Sequence, residues 1–187
     1  VVPEGNVVKD NLPEPEYAQV IIDDNSDWVG NNATVVVNVP YATGTVTIEV
    51  NNKSYVVDLV DNVATKEIPA EDLVLGENAI TATYEGPEFE TTNASAILAV
   101  IDGVVTQENY MYYFNQADEG RLFDCVPEGA TLDFQGSIIN PDSSIIRHMN
   151  VNKPVNIVST TKDAYVDLNT IAGSLMGESP GNSFAIT

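Results

Sequence analysis

The chain has 187 residues, of which 28 are acidic and 7 are basic, and its formal net charge is −21 at pH 7. This length allows one large domain or two small ones, and 43% hydrophobic residues are enough for a packed core. The charge argues against binding to nucleic acid or anionic membranes, which requires clustered Lys and Arg. A single Cys excludes an internal disulfide, one Cys with one His argues against zinc, and no apolar run could span a membrane.

The first half of the chain is predicted to be antiparallel β-structure. Residues 1–16 contain three prolines among acidic residues without periodicity, which is typical of a linker or an edge segment. Short strands then follow at intervals of about ten residues with no helix between them, which predicts an antiparallel sandwich over residues 17–102. The strands are predicted over residues 17–23, 33–39, 45–50, 54–60, 63–68, 79–84 and 95–101.

Polar residues separate these strands. Asn51-Asn52 and Asp61-Asn62 are pairs that accept the positive φ of a tight hairpin turn. Residues 24–27 are predicted to form another turn.

Around this turn, carboxylates and an amide alternate like the opening of a calcium loop, at Asp23, Asn25 and Asp27. The sixth position is Trp28 rather than Gly and the twelfth is Thr34 rather than Glu, so the segment is not an EF-hand. Calcium is therefore a weak hypothesis, because a simple turn needs no metal. Trp28 is predicted to pack in a core or at a sheet edge.

Two segments carry a family resemblance. Residues 45–60 read TVTIEVNNKSYVVDLV, and residues 75–84 read LGENAITATY. A strand pair followed by a Gly-x-Asn segment and a strand that ends in Tyr84 resembles the bacterial-type Ig-like repeats of archaeal adhesin-like surface proteins. The resemblance implies an Ig-like fold for residues 17–102.

One helix is predicted, over residues 104–114. Thr106 can cap its N-terminus, and Gln107 and Glu108 occupy the first turn, where the helix dipole favours them. The apolar stripe consists of Tyr110, Met111, Tyr113 and Phe114. We expect this amphipathic helix to cover the open end of a solenoid, whose first coil has unpaired backbone.

Short apolar strands return at intervals in the second half, each broken by Gly, Pro, Asn or Asp. They lack the spacing of a helix and predict a β-solenoid. The predicted core residues are Leu132, Phe134, Ile138, Ile145, Ile146, Val155, Ile157 and Val158. The runs VPEGATLDFQG (126–136), NKPVNI (152–157) and DAYVDLNT (163–170) resemble the start of the right-handed parallel β-helix in adhesin-like proteins of methanogenic archaea. The resemblance implies a capping helix and the first coils of a truncated β-helix over residues 103–187.

The resemblance also implies a function. It suggests a secreted, non-enzymatic cell-surface protein that attaches to other cells or to glycans. Two alternatives are a β-helix polysaccharide lyase or glycoside hydrolase, and a purely structural stalk. The scarcity of basic residues counts against a lyase, and no carboxylates form a recognisable acid–base pair.

The ends of the chain suggest an internal fragment, since it starts without Met and stops inside a strand-like run over residues 183–187. An open last coil would expose Leu168, Ile171, Phe184 and Ile186. We expect such an end to recruit another chain or to fold back on its own cap. Ligand-binding residues are expected on absent coils or on sandwich loops, and the sequence identifies none, nor any catalytic residue.

Several residues could be modified. Three sequons, at Asn32, Asn52 and Asn93, are candidates for glycosylation if the protein is secreted. Isopeptide crosslinks between Lys and Asn occur in adhesin Ig-like domains, but no spacing selects a partner for Lys53 or Lys66.

Cys125 lies between apolar residues and is predicted to be a buried, inert thiol. A rarer alternative is an internal thioester with Gln116 or Gln135. His148 is the only histidine, and we expect it to be exposed or at a strand edge.

Overall fold

The computed structural model describes residues 16–139 and 149–162 and, by backbone alone, the strands Ala164–Asp167 and Ser183–Ile186. The fold is all-β, as predicted, and each helical element in the described residues is a 3₁₀ turn of three residues: Ala70–Asp72, Tyr110–Tyr112 and Gln116–Asp118. No helix in this part of the chain is long and apolar enough to cross a membrane.

Eight strands build the first part of the molecule. They are β1 (Ile21–Ile22), β2 (Asn25–Trp28), β3 (Ala33–Asn38), β4 (Thr45–Val50), β5 (Lys53–Asp58), β6 (Val63–Ile68), β7 (Gly76–Glu85) and β8 (Thr92–Ile101). One sheet has the order β2-β8-β7-β4-β5, and the other has the order β1-β3-β6. All neighbours are antiparallel except β2 and β8, which are parallel.

Both sheets contribute to one buried core. Side chains alternate across a strand, so the apolar residues of β3 at positions 33, 35 and 37 all point inward. The first core includes Val35, Val37, Val46, Ile48, Ile68, Ile80, Ala82, Tyr84 and Leu98.

The predicted hairpin turns are confirmed. The register of β4 and β5 pairs Val50 with Lys53. Asn51 and Asn52 have φ of 46° and 64°, and Asp61 and Asn62 repeat this with 51° and 68°. Short polar side chains tolerate this left-handed backbone, as a two-residue turn requires.

The start of the first part differs from the prediction. The turn predicted over residues 24–27 is wrong, because Asn25–Trp28 forms β2 and pairs with β8. The strand predicted over residues 17–23 is reduced to Ile21–Ile22. The Asp24 carboxylate accepts a hydrogen bond from the backbone of Ile97 (2.7 Å) and fixes the chain where β2 begins.

Eight shorter strands follow: β9 (Val104–Val105), β10 (Phe114–Asn115), β11 (Arg121–Leu122), β12 (Thr131–Phe134), β13 (Ile138–Ile139), β14 (Asn156–Val158), β15 (Ala164–Asp167) and β16 (Ser183–Ile186). β12 is parallel to both β9 and β14, β13 is parallel to β15, and β10 and β11 form an antiparallel pair. β16 folds back antiparallel on β15 rather than on a cap. Self-association through an open end stays a prediction.

The second core contains most of the residues predicted for it. Leu132, Phe134 and Ile138 are buried, and Val155 and Ile157 are partly buried against them. Val158 is 37% exposed, so its assignment to the core is wrong. The remaining apolar predictions (Ile145, Ile146, Leu168 and Ile171), the side chains of Phe184 and Ile186, and His148 lie outside the described residues.

The helix predicted over residues 104–114 is wrong. Val104–Val105 forms β9 beside β12, and only Tyr110–Tyr112 makes a helical turn. Thr106 accepts a hydrogen bond from the backbone of Glu108 (3.3 Å) in a local turn. Three members of the predicted stripe, Tyr110, Tyr113 and Phe114, are nevertheless buried in the second core.

Candidate functional site at the junction of the two cores

The two cores are joined by a very short connection. β8 ends at Ile101 and β9 begins at Val104, and between them Gly103 has φ of +99°. A Cβ atom on Gly103 would lie 2.4 Å from the carbonyl oxygen of Thr131, so both the backbone angle and the space require glycine. The Gly103 carbonyl accepts a hydrogen bond from the backbone N–H of Asp133 (2.8 Å), which ties the connection to β12.

Side chains of the first part also reach the second core. Ile101 belongs to that core, and Trp28 of β2 packs against it, which confirms a packing role for this tryptophan. The Tyr112 hydroxyl donates to the Glu77 carboxylate (2.5 Å), which links the turn after β9 to β7. The Tyr113 hydroxyl donates to the carbonyl of Val104 (3.0 Å). The junction is therefore packed and hydrogen-bonded.

A cavity of about 660 Å³ lies beside this junction, which we call the junction cavity. One wall is formed by β2 and the residues after it, and the other by β10 and the segment up to residue 125. Its lining residues are Asn25, Ser26, Asp27, Asn31, Asn32, Thr34, Asn115, Asp118, Leu122, Phe123, Asp124 and Cys125.

The lining is polar and acidic. The described residues that line it include three aspartates, four asparagines and no Lys or Arg. Asp27 accepts hydrogen bonds from the backbone of Trp28 (2.7 Å) and the side chain of Asn31 (3.3 Å). Asp118 faces Arg121 at 3.6 Å. Asp124 is exposed, and its carboxylate has no hydrogen bond or ion pair within the described part of the chain.

A lysine side chain fixes the backbone of the second wall by hydrogen bonds. The Lys153 ammonium donates to the carbonyl oxygens of Phe123 (3.0 Å), Asp124 (3.4 Å) and Val126 (3.1 Å). Because one charged group satisfies three carbonyls, it fixes the backbone that presents Phe123 and Asp124. Lys153 comes from the NKPVNI run, so this part of the predicted solenoid supports the cavity wall.

Cys125 is partly buried at the edge of this wall. Burial, with the nearby charge of Asp27 as a smaller cause, raises the pKa of its thiol to about 12. This shift favours the protonated thiol at neutral pH, and the inertness of Cys125 stays a prediction. The side-chain amide of Gln135 donates to Asp133 (2.8 Å) and to Thr160 (3.4 Å). The thioester with Gln116 or Gln135 stays an untested hypothesis.

The residues proposed for calcium lie at and just before the start of β2. Asn25 and Asp27 lie in β2 and line the junction cavity, whereas Asp23 precedes the strand and lies outside that lining. Among the described residues, no group of three or more His, Cys, Asp or Glu is placed to hold a metal ion. Calcium binding stays an untested hypothesis.

The candidate modification sites lie on the surface. Asn32, Asn52 and Asn93 are all exposed, and glycosylation stays a prediction. The side chain of Asn32 is already engaged, because it donates to Glu67 and accepts from the backbone of Ala70, both at 3.0 Å.

Both candidate lysines for an isopeptide have other partners. Lys53 pairs with the Asp72 carboxylate at 3.0 Å, and Lys66 lies over the ring of Tyr55, 4.8 Å from its centroid. These contacts select no Asn partner for either lysine, and the crosslink stays a hypothesis.

Sequence reasoning missed most of the cavity. It noted Asn25, Asp27 and Thr34 for a calcium-like segment, Asn32 as a sequon and Cys125 as an inert thiol, but none of them as part of a cavity. Ser26, Phe123 and Asp124 carried no motif. The only available signal was the density of Asn and Asp in residues 23–32, which predicts a turn more readily than a cavity wall.

Comparisons with known proteins identify no family. No protein-family model matches the chain, and no curated protein matches it.

Solved structures with partial similarity include an endo-β-1,4-mannanase from Thermotoga petrophila (TM-score 0.38, 10% identity, covering 48% of this chain and 21% of that one). Others are titin M4 (0.34, 16%, covering 47% of this chain and 99% of that one) and a β-glucuronidase from Bacteroides uniformis (0.34, 11%, covering 54% and 12%). These low scores carry no argument about fold or activity, and the chain spans only a small part of the two enzymes.

Proposed function

We propose that the chain is a non-enzymatic segment of an extracellular, adhesin-like cell-surface protein that attaches to other cells or to glycans. In this proposal the first core is an Ig-like sandwich and the second is the start of a parallel β-helix. The sandwich and the first coils together present a recognition surface.

The strand order supports the Ig-like assignment. In an Ig sandwich, strands C, F and G form one sheet with C′ at its edge, and B and E lie in the other. With β3 to β8 in the roles of B, C, C′, E, F and G, the observed orders β8-β7-β4-β5 and β3-β6 match this arrangement.

Regular parallel pairing supports the β-helix assignment. The register partners Val104 with Asp133, Thr131 with Asn156, and Ile138 with Val166 are 25 to 29 residues apart. A parallel solenoid repeats one coil over such an interval, and each coil pairs with its neighbours.

The observation that carries the functional proposal is the junction cavity, a concave polar surface fixed between two packed cores. Binding sites are typically concave and largely preformed, with a few oriented polar groups. Burial raises the pKa of its one thiol to about 12, which does not suit a thiolate nucleophile.

An attachment assay tests this function. Beads coated with the full chain should attach to cells in a panel that includes methanogenic archaea, and beads coated with heat-denatured chain should not. Cell-wall polysaccharides incubated with the protein should keep their length by mass spectrometry. Shortened polysaccharides would contradict a non-enzymatic role. If the beads attached to none of the cell types in the panel, the result would contradict adhesion.

A further inference from the structure

We propose that the junction cavity binds a neutral, hydroxyl-rich saccharide, with Asp124, Asn25 and Ser26 as hydrogen-bonding groups and Phe123 as the apolar surface. The proposal rests on the attachment function above and names the class of its ligand. It follows from the size, charge and hydrogen-bonding state of the lining.

The size fits a small ligand. A cavity of about 660 Å³ lies within the range of roughly 300–1,000 Å³ that is typical of small-molecule sites. Its two walls come from β2 and from the segment that Lys153 holds, so the shape exists without a ligand.

The charge selects a neutral ligand. The lining has the carboxylates of Asp27, Asp118 and Asp124 and no Lys or Arg among its described residues, and the nearby Arg121 is already paired with Asp118, so the charge of the lining disfavours a phosphate or an acidic sugar. Carboxylates and side-chain amides instead suit the many hydroxyls of an uncharged sugar, since they accept and donate hydrogen bonds in fixed directions.

The lining also contains groups that lack partners. Ser26 is only 5% exposed, and its hydroxyl makes no hydrogen bond within the described residues, although buried polar groups are normally paired. The carboxylate of Asp124 lacks a partner in the same part of the chain. Beside it, the half-buried ring of Phe123 offers a face to the C–H groups of a sugar ring. A ligand hydroxyl would satisfy the polar groups while the ring covers its apolar side.

A glycan array tests the inference. The full chain is labelled and incubated with neutral oligosaccharides of hexoses and N-acetylhexosamines, and with oligosaccharides of uronic acids. We expect binding within the neutral set and none in the acidic set. Binding confined to acidic sugars, or no binding at all, would overturn the proposal.

Calorimetry with the best neutral oligosaccharide then locates the site. Asp124→Asn should weaken its binding about tenfold or more, the loss of one charge-assisted hydrogen bond. Phe123→Leu should weaken it about threefold to tenfold. The control Asp58→Asn makes the same charge change on the exposed face of β5, far along the sheet order from β2, and should leave affinity unchanged. Equal losses of oligosaccharide affinity in Asp124→Asn and Asp58→Asn would refute the assignment of the site to the junction cavity. Thermal denaturation of each variant confirms that it is folded.

The bead assay separates this inference from the proposed function. If beads carrying Asp124→Asn attach to cells as well as the parent chain, attachment stands and the cavity assignment fails. If the array identifies a neutral sugar that depends on Asp124 while no cell is bound, the cavity assignment stands and adhesion fails.

Discussion

The buried side chain of Asn78 stabilises the first core through a network of hydrogen bonds. This side chain lies in β7 and is fully buried. Its oxygen accepts from the side chain of Asn51 (2.5 Å) and the backbone of Val74 (2.9 Å). Its nitrogen donates to the carbonyls of Val74 (2.8 Å), Gly76 (3.1 Å) and Leu98 (3.2 Å). One amide thus joins the turn before β7 to β8.

The change Asn78→Ala removes all of these bonds at once. Two bonds to Val74 are lost at about 1 kcal/mol each, because Val74 is exposed and water can replace the partner. The carbonyl of Leu98 belongs to a buried residue, and leaving it with one donor fewer costs about 1 kcal/mol more. The bonds to Asn51 and Gly76, which are also exposed, count at the same rate, so we expect the free energy of unfolding to fall by about 5 kcal/mol.

Urea unfolding followed by circular dichroism measures this loss, and the m-value should not change. The matched control is Asn93→Ala in the neighbouring strand β8, where the side chain is exposed and its substitution should cost less than about 0.5 kcal/mol. If both variants lost the same stability, the network around Asn78 would not be what holds this turn.

Three further outcomes are expected. In thermal denaturation, Gly103→Ala should lower the free energy of unfolding by about 2 kcal/mol more than Gly30→Ala. Both glycines have positive φ, but only at Gly103 would the new Cβ meet backbone atoms, and equal losses of stability would contradict the close approach of Gly103 to Thr131. Cys125 should react slowly with a disulfide reagent at pH 8 in the folded protein and fast once the protein is unfolded in urea, and rapid reaction of the folded protein would refute this. Because the pKa of the thiol is about 12 when folded and 9.0 ordinarily, the stability that the thiol contributes is present below pH 9 and is lost as the pH rises towards 12. Hydrogen bonds lower the pKa of the Asp133 carboxyl, and the bond from the Gln135 amide has the largest effect, so an NMR titration should place this pKa below 3.8. Gln135→Ala should raise the pKa of Asp133, and an unchanged pKa in the variant would rule out the Gln135 bond as the cause.

Much of the first core could be predicted because its signals are local. Apolar and polar residues alternate strictly in β4, and the inward positions 33, 35 and 37 of β3 and 80, 82 and 84 of β7 are apolar, which is the period of two that indicates a strand. The pairs Asn51-Asn52 and Asp61-Asn62 mark their turns by the residue types that accept positive φ.

The errors arose where tertiary pairing overrides local pattern. β2 is polar and reads as a turn, yet four residues of β8 supply it with backbone partners. Residues 104–114 have a helix-like apolar stripe, but Val104 and Val105 find partners in β12. The same limit applies to the candidate site. Its walls are about ninety residues apart in the chain and meet only because β8 leads directly into β9.

The parallel pairing of β2 with β8 has a mechanical consequence. β2 lies near the start of the first part and β8 at its end, and both strands run in the same direction. A force that pulls the chain apart at these two places acts along the strands, so it shears the evenly spaced hydrogen bonds of all four residue pairs together instead of opening them one at a time. Beyond β8 the load passes through the short Gly103 connection into β9. The order of the strands thus makes the first core resist tension applied between its start and its end.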